Sequence, residues 1–321
     1  MIIYLLRRFL LAVITLFILT LFSFSIVYYK ELSSISDFHL GNGYINYLAD
    51  IIHGRLGYSE LAQKPITELF RTVLPVTIEL SVCAMIIAFI VGSITGIISA
   101  IYYQRLPDKI INVFVLVGLS SPVFWLGLVL LMFFSFYLDW LPVFGRYDAP
   151  YPFPTATGFI FFDSLFQPIE HREEIIINLF KNAILPVTTL ALGPITEITR
   201  LFREIVLKIS SENYIKAAAA RGLSPVRIIF RHVLSNAFPP IIPKLSLQIS
   251  TLFTLTMIVE NVFDWRGIGF WVMYALRHQD YAVISAAILV IGLLIILSFM
   301  ALEIISLIVN PLKRQELYVF K

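Results

Sequence analysis

Residues 282–302 read AVISAAILVIGLLIILSFMAL, a run that is almost entirely apolar and contains no charged side chain. A helix needs about 20 apolar residues to cross the hydrocarbon core of a bilayer, so this run predicts a membrane-spanning helix. Charge-free runs of similar length predict three further spans, at residues 9–29, 80–103 and 110–138. These runs are far longer than the roughly 10-residue alternating strands of outer-membrane barrels, and they predict an all-α membrane protein.

Two weaker apolar stretches complete the set of predicted spans. Residues 183–196 contain Pro186 and Pro194, and residues 245–259 are interrupted by Ser, Thr and Gln. Both are expected to cross by using flanking residues, which gives six transmembrane helices. The first span follows two arginines, as a signal peptide would, but it is longer than a usual signal-peptide apolar region and no small-residue cleavage site follows it. We therefore expect a retained anchor.

The overall composition also indicates a membrane protein. Of the 321 residues, 59% are hydrophobic and 14% are charged, and the mean hydropathy is +0.86; soluble domains have about 25% charged residues. The net charge of +3 is too small to indicate nucleic-acid binding. The single cysteine, Cys83, lies inside an apolar run and the five histidines are scattered, so neither a disulfide nor a metal site is expected.

The distribution of basic residues predicts the orientation of the chain. Cytoplasmic loops of membrane proteins carry an excess of Lys and Arg, and the segment after the fourth predicted span is the most basic. This segment and both termini are therefore expected in the cytoplasm. The chain then divides into an anchor helix with an external segment that begins near residue 30 (residues 1–72), a five-helix core (residues 73–310) and a cytoplasmic tail (residues 311–321).

The cytoplasmic loop at about residues 200–236 has the pattern of two helices joined by a glycine. Residues 212–221 include four consecutive alanines and predict a helix. Gly222 stands where a helix ends in a left-handed residue, and Ser224-Pro225 is typical of a helix start. A small-residue helix of this kind suits the groove of a partner protein. The alternative is a basic loop that contacts only lipid headgroups.

The sequence contains no nucleotide-binding machinery of its own. No GxxxxGK[ST] phosphate-binding loop is present. If ATP drives transport through these helices, the ATPase is therefore a separate chain, and this favours a docking role for the loop.

The loop residues 214–239, YIKAAAARGLSPVRIIFRHVLSNAFP, resemble the EAA loop of the permeases of binding-protein-dependent ABC importers, in its peptide-importer form. Further strings resemble other segments of this family, so that the resemblance covers nearly the whole chain. They are LGYS at 56–59, LPVT at 74–77, SPVFWL at 121–126, WLPVFG at 140–145 and ENVFDWRGIG at 260–269. Two residues depart from the pattern: Lys216 replaces the glutamate of the motif, as is usual in the peptide branch, and Arg266 replaces a proline, which puts the shape of the last external loop in question.

The resemblance implies a type I ABC importer permease fold with six transmembrane helices, in the bacterial inner membrane. It implies a homologous second permease, two cytoplasmic ATPase subunits that bind ATP and Mg²⁺, a periplasmic solute-binding protein, and alternating access. It implies no enzymatic activity in this chain. The runs NAFPPIIPKLSLQ at 236–248 and MIIYLLRR at 1–8 resemble the Sap-type branch, which is linked to peptides, including antimicrobial peptides, and to putrescine; import and export both stay open.

The resemblance further implies that the short helix before Gly222 is a coupling helix that sits in a cleft of the ATPase. The residues expected in this coupling loop are Tyr214, Lys216, Ala217, Ala218, Ala219, Arg221, Gly222, Pro225, Asn236 and Pro239.

A polar stripe on the fifth span is the candidate translocation path. Polar side chains within a membrane face the bundle interior or a wet cavity, and proline-interrupted spans mark binding regions in transporters. The candidate residues are Ser246, Ser250, Thr254, Pro186 and Pro194. Hydrogen bonding between helices is the alternative role for the stripe.

Small and acidic residues in the spans lead to further expectations. Gly92 and Gly96 lie one turn apart on the second span and predict a close packing face. Glu79 is expected at the outer interface, and Glu303 is expected to pair with a basic loop residue.

Glu197 is expected to pair with its helix-face neighbours Arg200 and Arg203.

A secondary transporter or channel driven by an ion gradient is the rival function. Its signature would be paired ionisable residues at mid-bilayer and an internal repeat, and neither is visible in the sequence. An intramembrane enzyme is a third possibility, but the spans contain no catalytic constellation.

Overall fold

A computed structural model describes residues 2–32, 40–147, 156–166 and 171–309, and its secondary structure is almost entirely helical. The predicted tail at 311–321 and residues 33–39 of the predicted external segment lie outside the described residues. The elements are α1 (Ile2–Leu32), α2 (Leu40–Ile52), β1 (Tyr58–Ser59), β2 (Lys64–Pro65), α3 (Ile66–Ile101), α4 (Leu106–Ser120), α5 (Val123–Leu130), a π-helical segment (Leu131–Tyr137), α6 (Ile160–Phe166), α7 (Arg172–Ser210), α8 (Asn213–Ala220), α9 (Pro225–Ile228), a second π-helical segment (Ile229–Val233), α10 (Leu234–Val262), α11 (Ile268–His278) and α12 (Tyr281–Val309).

Among the described residues, five helical stretches are long and apolar enough to cross a membrane, and α4 with α5 makes a sixth if the bent pair is one span. This confirms the all-α membrane fold. The two weak spans belong to much longer helices, α7 with 39 residues and α10 with 29 residues. Pro186 and Pro194 lie inside α7 without ending it, because freed backbone groups in a membrane bundle are satisfied by neighbouring elements.

The prediction of one continuous helix over residues 110–138 is wrong. α4 and α5 meet at an angle of 106°. Pro122 has no N–H and disfavours a helical conformation at the residue before it, and Ser121 is accordingly extended, with ψ of 120°. The span is therefore a broken pair of helices.

The packing of α3 against α7 forms the centre of the molecule. A Cβ atom on Gly92 would lie 2.8 Å from the Cβ of Ile198, and one on Gly96 would lie 2.5 Å from the carbonyl oxygen of Thr199 and 2.6 Å from the Cβ of Phe202. The two glycines therefore allow the helix backbones to approach closely.

The first helix packs on α12, and a cluster of hydroxyl groups joins the two. The Ser23 hydroxyl lies 2.7 Å from the Ser285 hydroxyl and 2.7 Å from the Tyr47 hydroxyl of α2. On the same side of the molecule, Ser59 of β1 donates to Asp280, just before α12, at 2.8 Å. The boundary predicted at residue 72 falls inside α3, so a continuous helix joins the external segment to the core.

Candidate functional site

The basic loop between α7 and α10 folds as a short helix, a glycine turn and a second helix. α8 ends at Ala220, and Gly222 follows with φ of +78°. The Gly222 amide donates to the carbonyl of Ala219 at 3.0 Å, which closes the helix end. Ser224 caps α9 by accepting from the Arg227 amide, and Pro225 is the first residue of α9.

Only one side of α8 packs against the rest of the protein. Ile215 and Ala218 are buried, and they hold α8 against its neighbours. Pro239 is half-buried within α10, so Ala218 and Pro239 do not belong to the exposed surface. The coupling-loop residues that are exposed are Tyr214, Lys216, Ala217, Ala219, Arg221, Gly222, Pro225 and Asn236.

A hydrogen bond connects α8 directly to α10. The side-chain amide of Asn236 donates to the Tyr214 hydroxyl at 3.3 Å and to the His232 carbonyl at 2.6 Å. Asn236 lies on the long helix α10, so this hydrogen bond links α8 to a helix that is long and apolar enough to cross a membrane.

α10 has an exposed stripe with mixed polar and apolar side chains. The stripe residues are Pro240, Lys244, Leu247, Thr251, Thr254 and Ile258. Lys244 is ionisable, and ionisable side chains within a membrane face the bundle interior or a wet cavity, so this stripe suits contact with water or protein. Of the predicted path residues, Thr254 lies on this stripe and Ser250 beside it is half-buried, whereas Ser246 lines a small pocket with Arg8 and Glu303.

A cleft of about 340 Å³ lies between the α4–α5 break, α7 and α10. Its lining contains leucine side chains and several polar side chains. Of the two prolines predicted for the path, Pro194 lines the cleft, whereas Pro186 is buried in α7 and does not. The polar residues of the lining are Ser121, Thr189, Glu197, Gln248 and Thr251. Thr251 also belongs to the exposed stripe of α10, so the stripe and the cleft form one continuous surface.

A buried ion pair joins α3 to the segment that follows the first π-helical segment. Arg146 Nη2 lies 2.6 Å from Glu79 Oε2, and the Phe161 amide donates to Glu79 Oε1 at 2.8 Å. Burial lowers the pKa of Arg146, whereas the negative charge of the neighbouring Glu79 raises this pKa. Glu79 was expected at the outer interface, and the structure adds the partner that the sequence did not reveal.

A second buried carboxylate organises the loop between α10 and α11. Thr77 donates to Glu260 Oε1 at 2.6 Å, and the Phe270 amide donates to Oε2 at 2.9 Å. A Cβ on Gly267 would overlap both Glu260 and Thr77, so glycine is required there. Arg266, the departure from the family pattern, is exposed and contacts Asp264 at 3.3 Å, and the loop therefore does not depend on residue 266 for its anchoring.

A bidentate ion pair joins α4 to α7, towards the end of α7 that leads to α8. Arg203 Nε lies 2.8 Å from Asp108 Oδ1 and Nη2 lies 3.0 Å from Oδ2, and Ser99 donates to the same carboxylate. The expected pairing of Arg203 with Glu197 is therefore wrong, because the first turn of α4 packs beside α7 and supplies a closer carboxylate. The pairing of Glu197 with Arg200 is confirmed at 2.8 Å.

The partner of Glu303 also differs from the expectation. Glu303 Oε1 lies 2.8 Å from Arg8 Nη2 on α1, rather than from a residue of the basic loop. The packing of α1 along α12 brings the two side chains together, and sequence position alone could not show this.

Most of the cleft was missed by sequence reasoning. Four helices form it, and α4 and α5 are far from α7 and α10 in the sequence, so only its individual parts carry a signal. Ser121-Pro122 is a typical helix-breaking pair, and Gln248 and Thr251 are polar residues within an apolar span. Thr189 gives no such signal.

Comparison with known proteins agrees with this architecture. Residues 92–315 match the family described as "Binding-protein-dependent transport system inner membrane component". Over the full length of both chains, the protein is 43% identical to the putrescine export system permease protein SapB of Escherichia coli K12 and 41% identical to the peptide transport system permease protein SapB of Salmonella typhimurium LT2. It is 35% identical to the di/tripeptide transport system permease protein DppB of Pseudomonas aeruginosa UCBPP-PA14, over 85% of this chain and 80% of that protein.

The fold is also similar to a solved structure. A chain of the inward-facing MetNI methionine ABC transporter matches with a TM-score of 0.53 and 16% identity, over 75% of this protein and 95% of that chain. This confirms the predicted type I importer permease fold, and the family match confirms the resemblance drawn from the loop. The chain belongs to the family of inner membrane components of binding-protein-dependent transport systems.

Proposed function

We propose that this chain is a permease subunit of an ATP-driven transporter that moves peptides, or a polyamine such as putrescine, across the bacterial inner membrane. The observation that carries the proposal is the exposed, alanine-rich face of α8, which is joined to α10 through Tyr214 and Asn236. A partner protein that binds this face would move α8, and the hydrogen bond between Asn236 and Tyr214 would transmit the movement to α10. The names of the SapB and DppB relatives support the substrate class.

The exposed surfaces of this chain support a set of partner proteins. The polar stripe of α10 and the adjoining cleft suit a second, homologous permease, which would close the translocation path between the two subunits. Two cytoplasmic ATPase subunits, which bind ATP and Mg²⁺, would dock on the α8 loops. A periplasmic solute-binding protein would deliver substrate on the side of β1 and β2. Both chain termini would then lie in the cytoplasm.

Within this proposal, Thr254, Ser250 and Pro194 lie on or beside the path surface. Ser246 and Pro186 lie away from it and would serve the packing of α10 and α7. The rival function, transport driven by an ion gradient, receives less support because Glu79, Asp108, Glu197 and Glu303 each contact an arginine.

The test is a pull-down of the transporter from membranes with Gly222→Trp. Gly222 has positive φ and open space around it, so the bulky residue distorts the exposed turn without a clash in the core. We expect the permease to remain in the membrane and the ATPase subunits to be lost.

The matched control for this pull-down is Gly54→Trp. Gly54 has φ of +73° and is equally unobstructed, but lies on the opposite side of the molecule. It should retain the ATPase subunits. Undiminished ATPase association and transport in the Gly222 variant would contradict the proposal.

A further inference from the structure

We infer that the cleft at the α4–α5 break is a subsite for a cationic nitrogen of the substrate, with Glu197 as its anionic group. The ligand class is a primary ammonium, as in a peptide amino terminus, a lysine side chain or a polyamine. This inference rests on the proposed role of the chain as a permease and adds a chemical selectivity to its path.

The charge of the cleft is carried by one residue. Glu197 is the only ionisable side chain among the described residues that line the cleft. Glu197 pairs with Arg200 outside the lining, and its carboxylate is the one charge that the described lining presents to the cleft; such a group attracts a cation and repels an anion.

Two of the remaining polar groups of the cleft, the hydroxyls of Ser121 and Thr251, can act towards a ligand only as acceptors. The Ser121 hydroxyl donates to the Val117 carbonyl at 2.7 Å, and the Thr251 hydroxyl donates to the Leu247 carbonyl at 3.1 Å. Their protons are committed to their own helices, so their lone pairs face outward. An ammonium group has three donors and no acceptor, and it complements such a lining.

Thr189 adds an independent observation. It lines the cleft, is 1% exposed, and its hydroxyl has no hydrogen-bond partner among the described residues. A buried hydroxyl without a partner is costly, and a ligand donor in the cleft would satisfy it.

The depth of Glu197 argues against a purely local role. Arg203 and Asp108 form the ion pair between α7 and α4, and Glu197 lies about 9 Å further along α7, in a helix that is long and apolar enough to cross a membrane. An acidic residue inside a span is a functional candidate. Arg200, which is 61% exposed, contacts Glu197 at 2.8 Å but is not part of the cleft lining. Arg200 neutralises the Glu197 carboxylate when the cleft is empty. A substrate ammonium replaces Arg200 as the partner of this carboxylate when the cleft is occupied.

The experiment measures binding to the full transporter in nanodiscs, without nucleotide or binding protein. Cys83 is replaced by Ser, and a bimane fluorophore is attached to Leu119→Cys at the edge of the cleft. The probes are trilysine, putrescine and the uncharged N-acetyl-trialanine amide.

We expect trilysine and putrescine to shift the fluorescence at lower concentrations than the neutral peptide. Glu197→Gln should raise the half-saturating concentration of the cationic probes at least tenfold, and Glu197→Asp should restore most of the affinity. Glu204→Gln, on the same helix but outside the cleft, is the matched control and should behave as the parent protein.

Unchanged binding of trilysine in the Glu197→Gln variant would overturn the inference, as would equal affinities for trilysine and the neutral peptide. If the Gln variant does not assemble, Thr189→Val provides the second test, since it keeps the side-chain shape and removes the hydroxyl. This substitution should weaken the binding of the cationic probes several-fold, and unchanged binding would again contradict the proposed subsite. The titration needs no ATP hydrolysis, so loss of ATPase association would contradict the proposed function without affecting this result.

Discussion

At the residue scale, the pair of Glu79 and Arg146 shows how a charge can be kept near the membrane interior. The side chains are 6% and 17% exposed, and the carboxylate also accepts from the Phe161 amide. Removing one member of such a pair leaves the other charge buried without compensation, which is more damaging than removing both. The pair therefore restricts which single substitutions the outer end of the bundle tolerates.

We predict that Arg146→Met destabilises the protein by about 3 to 5 kcal/mol, the usual cost of an unpaired buried charge. Thermal unfolding in detergent would measure the loss. The double variant Glu79→Gln with Arg146→Met should recover part of it, because no charge then remains. The control is Arg266→Met, whose contact with Asp264 is exposed and is worth at most about 1 kcal/mol. Equal effects of the Arg146 and Arg266 substitutions would contradict this account.

At the element scale, local chemistry decided which features the sequence could predict. The spans at α1 and α12 follow from uninterrupted apolar runs, and the glycine turn at Gly222 follows from the conformation that glycine alone adopts easily. The α4–α5 bend was missed although Pro122 signals a break, since the 106° angle depends on how both halves pack on α7 and α10. The partners of Glu79 and Asp108 were missed because each is brought in by tertiary packing from a distant part of the chain.

The α3–α7 interface gives a prediction for Gly96→Ala. The added Cβ would meet the Thr199 backbone oxygen, which cannot rotate away. We expect a loss of about 1 to 3 kcal/mol, as for other overpacked sites, measured as a lower thermal midpoint of the purified protein. Ser93→Ala, one turn earlier on the same helix, adds no atoms and should leave the midpoint unchanged. A Gly96→Ala protein as stable as the Ser93 variant would show that the helices can separate at little cost.

At the scale of the whole molecule, the two buried ion pairs lie at opposite ends of a stretch of α3 that is long enough to cross a bilayer. Glu79 and Ser99 are about 20 residues apart on α3, which corresponds to roughly 30 Å of helix and to the thickness of the hydrocarbon core. Glu79 binds Arg146 at one end, and Ser99 contacts Asp108 and Arg203 at the other. α7 continues beyond Arg203 to Ser210, so α8 follows this ion pair after a further stretch of about 10 Å of helix.

This arrangement predicts on which side of the membrane each end of the molecule lies. In a Cys83→Ser background, Ile52→Cys on α2 and Val226→Cys on α9 introduce single thiols at positions that are 81% and 65% exposed. Since the basic α8 loop is expected in the cytoplasm, a membrane-impermeant maleimide should label Ile52→Cys in intact spheroplasts and label Val226→Cys only after permeabilisation. The permeabilised sample is the control, because both thiols should react there. The opposite labelling pattern would place α8 outside the cell, where no ATP-hydrolysing subunit could contact it, and would contradict both the orientation and the coupling role of the loop.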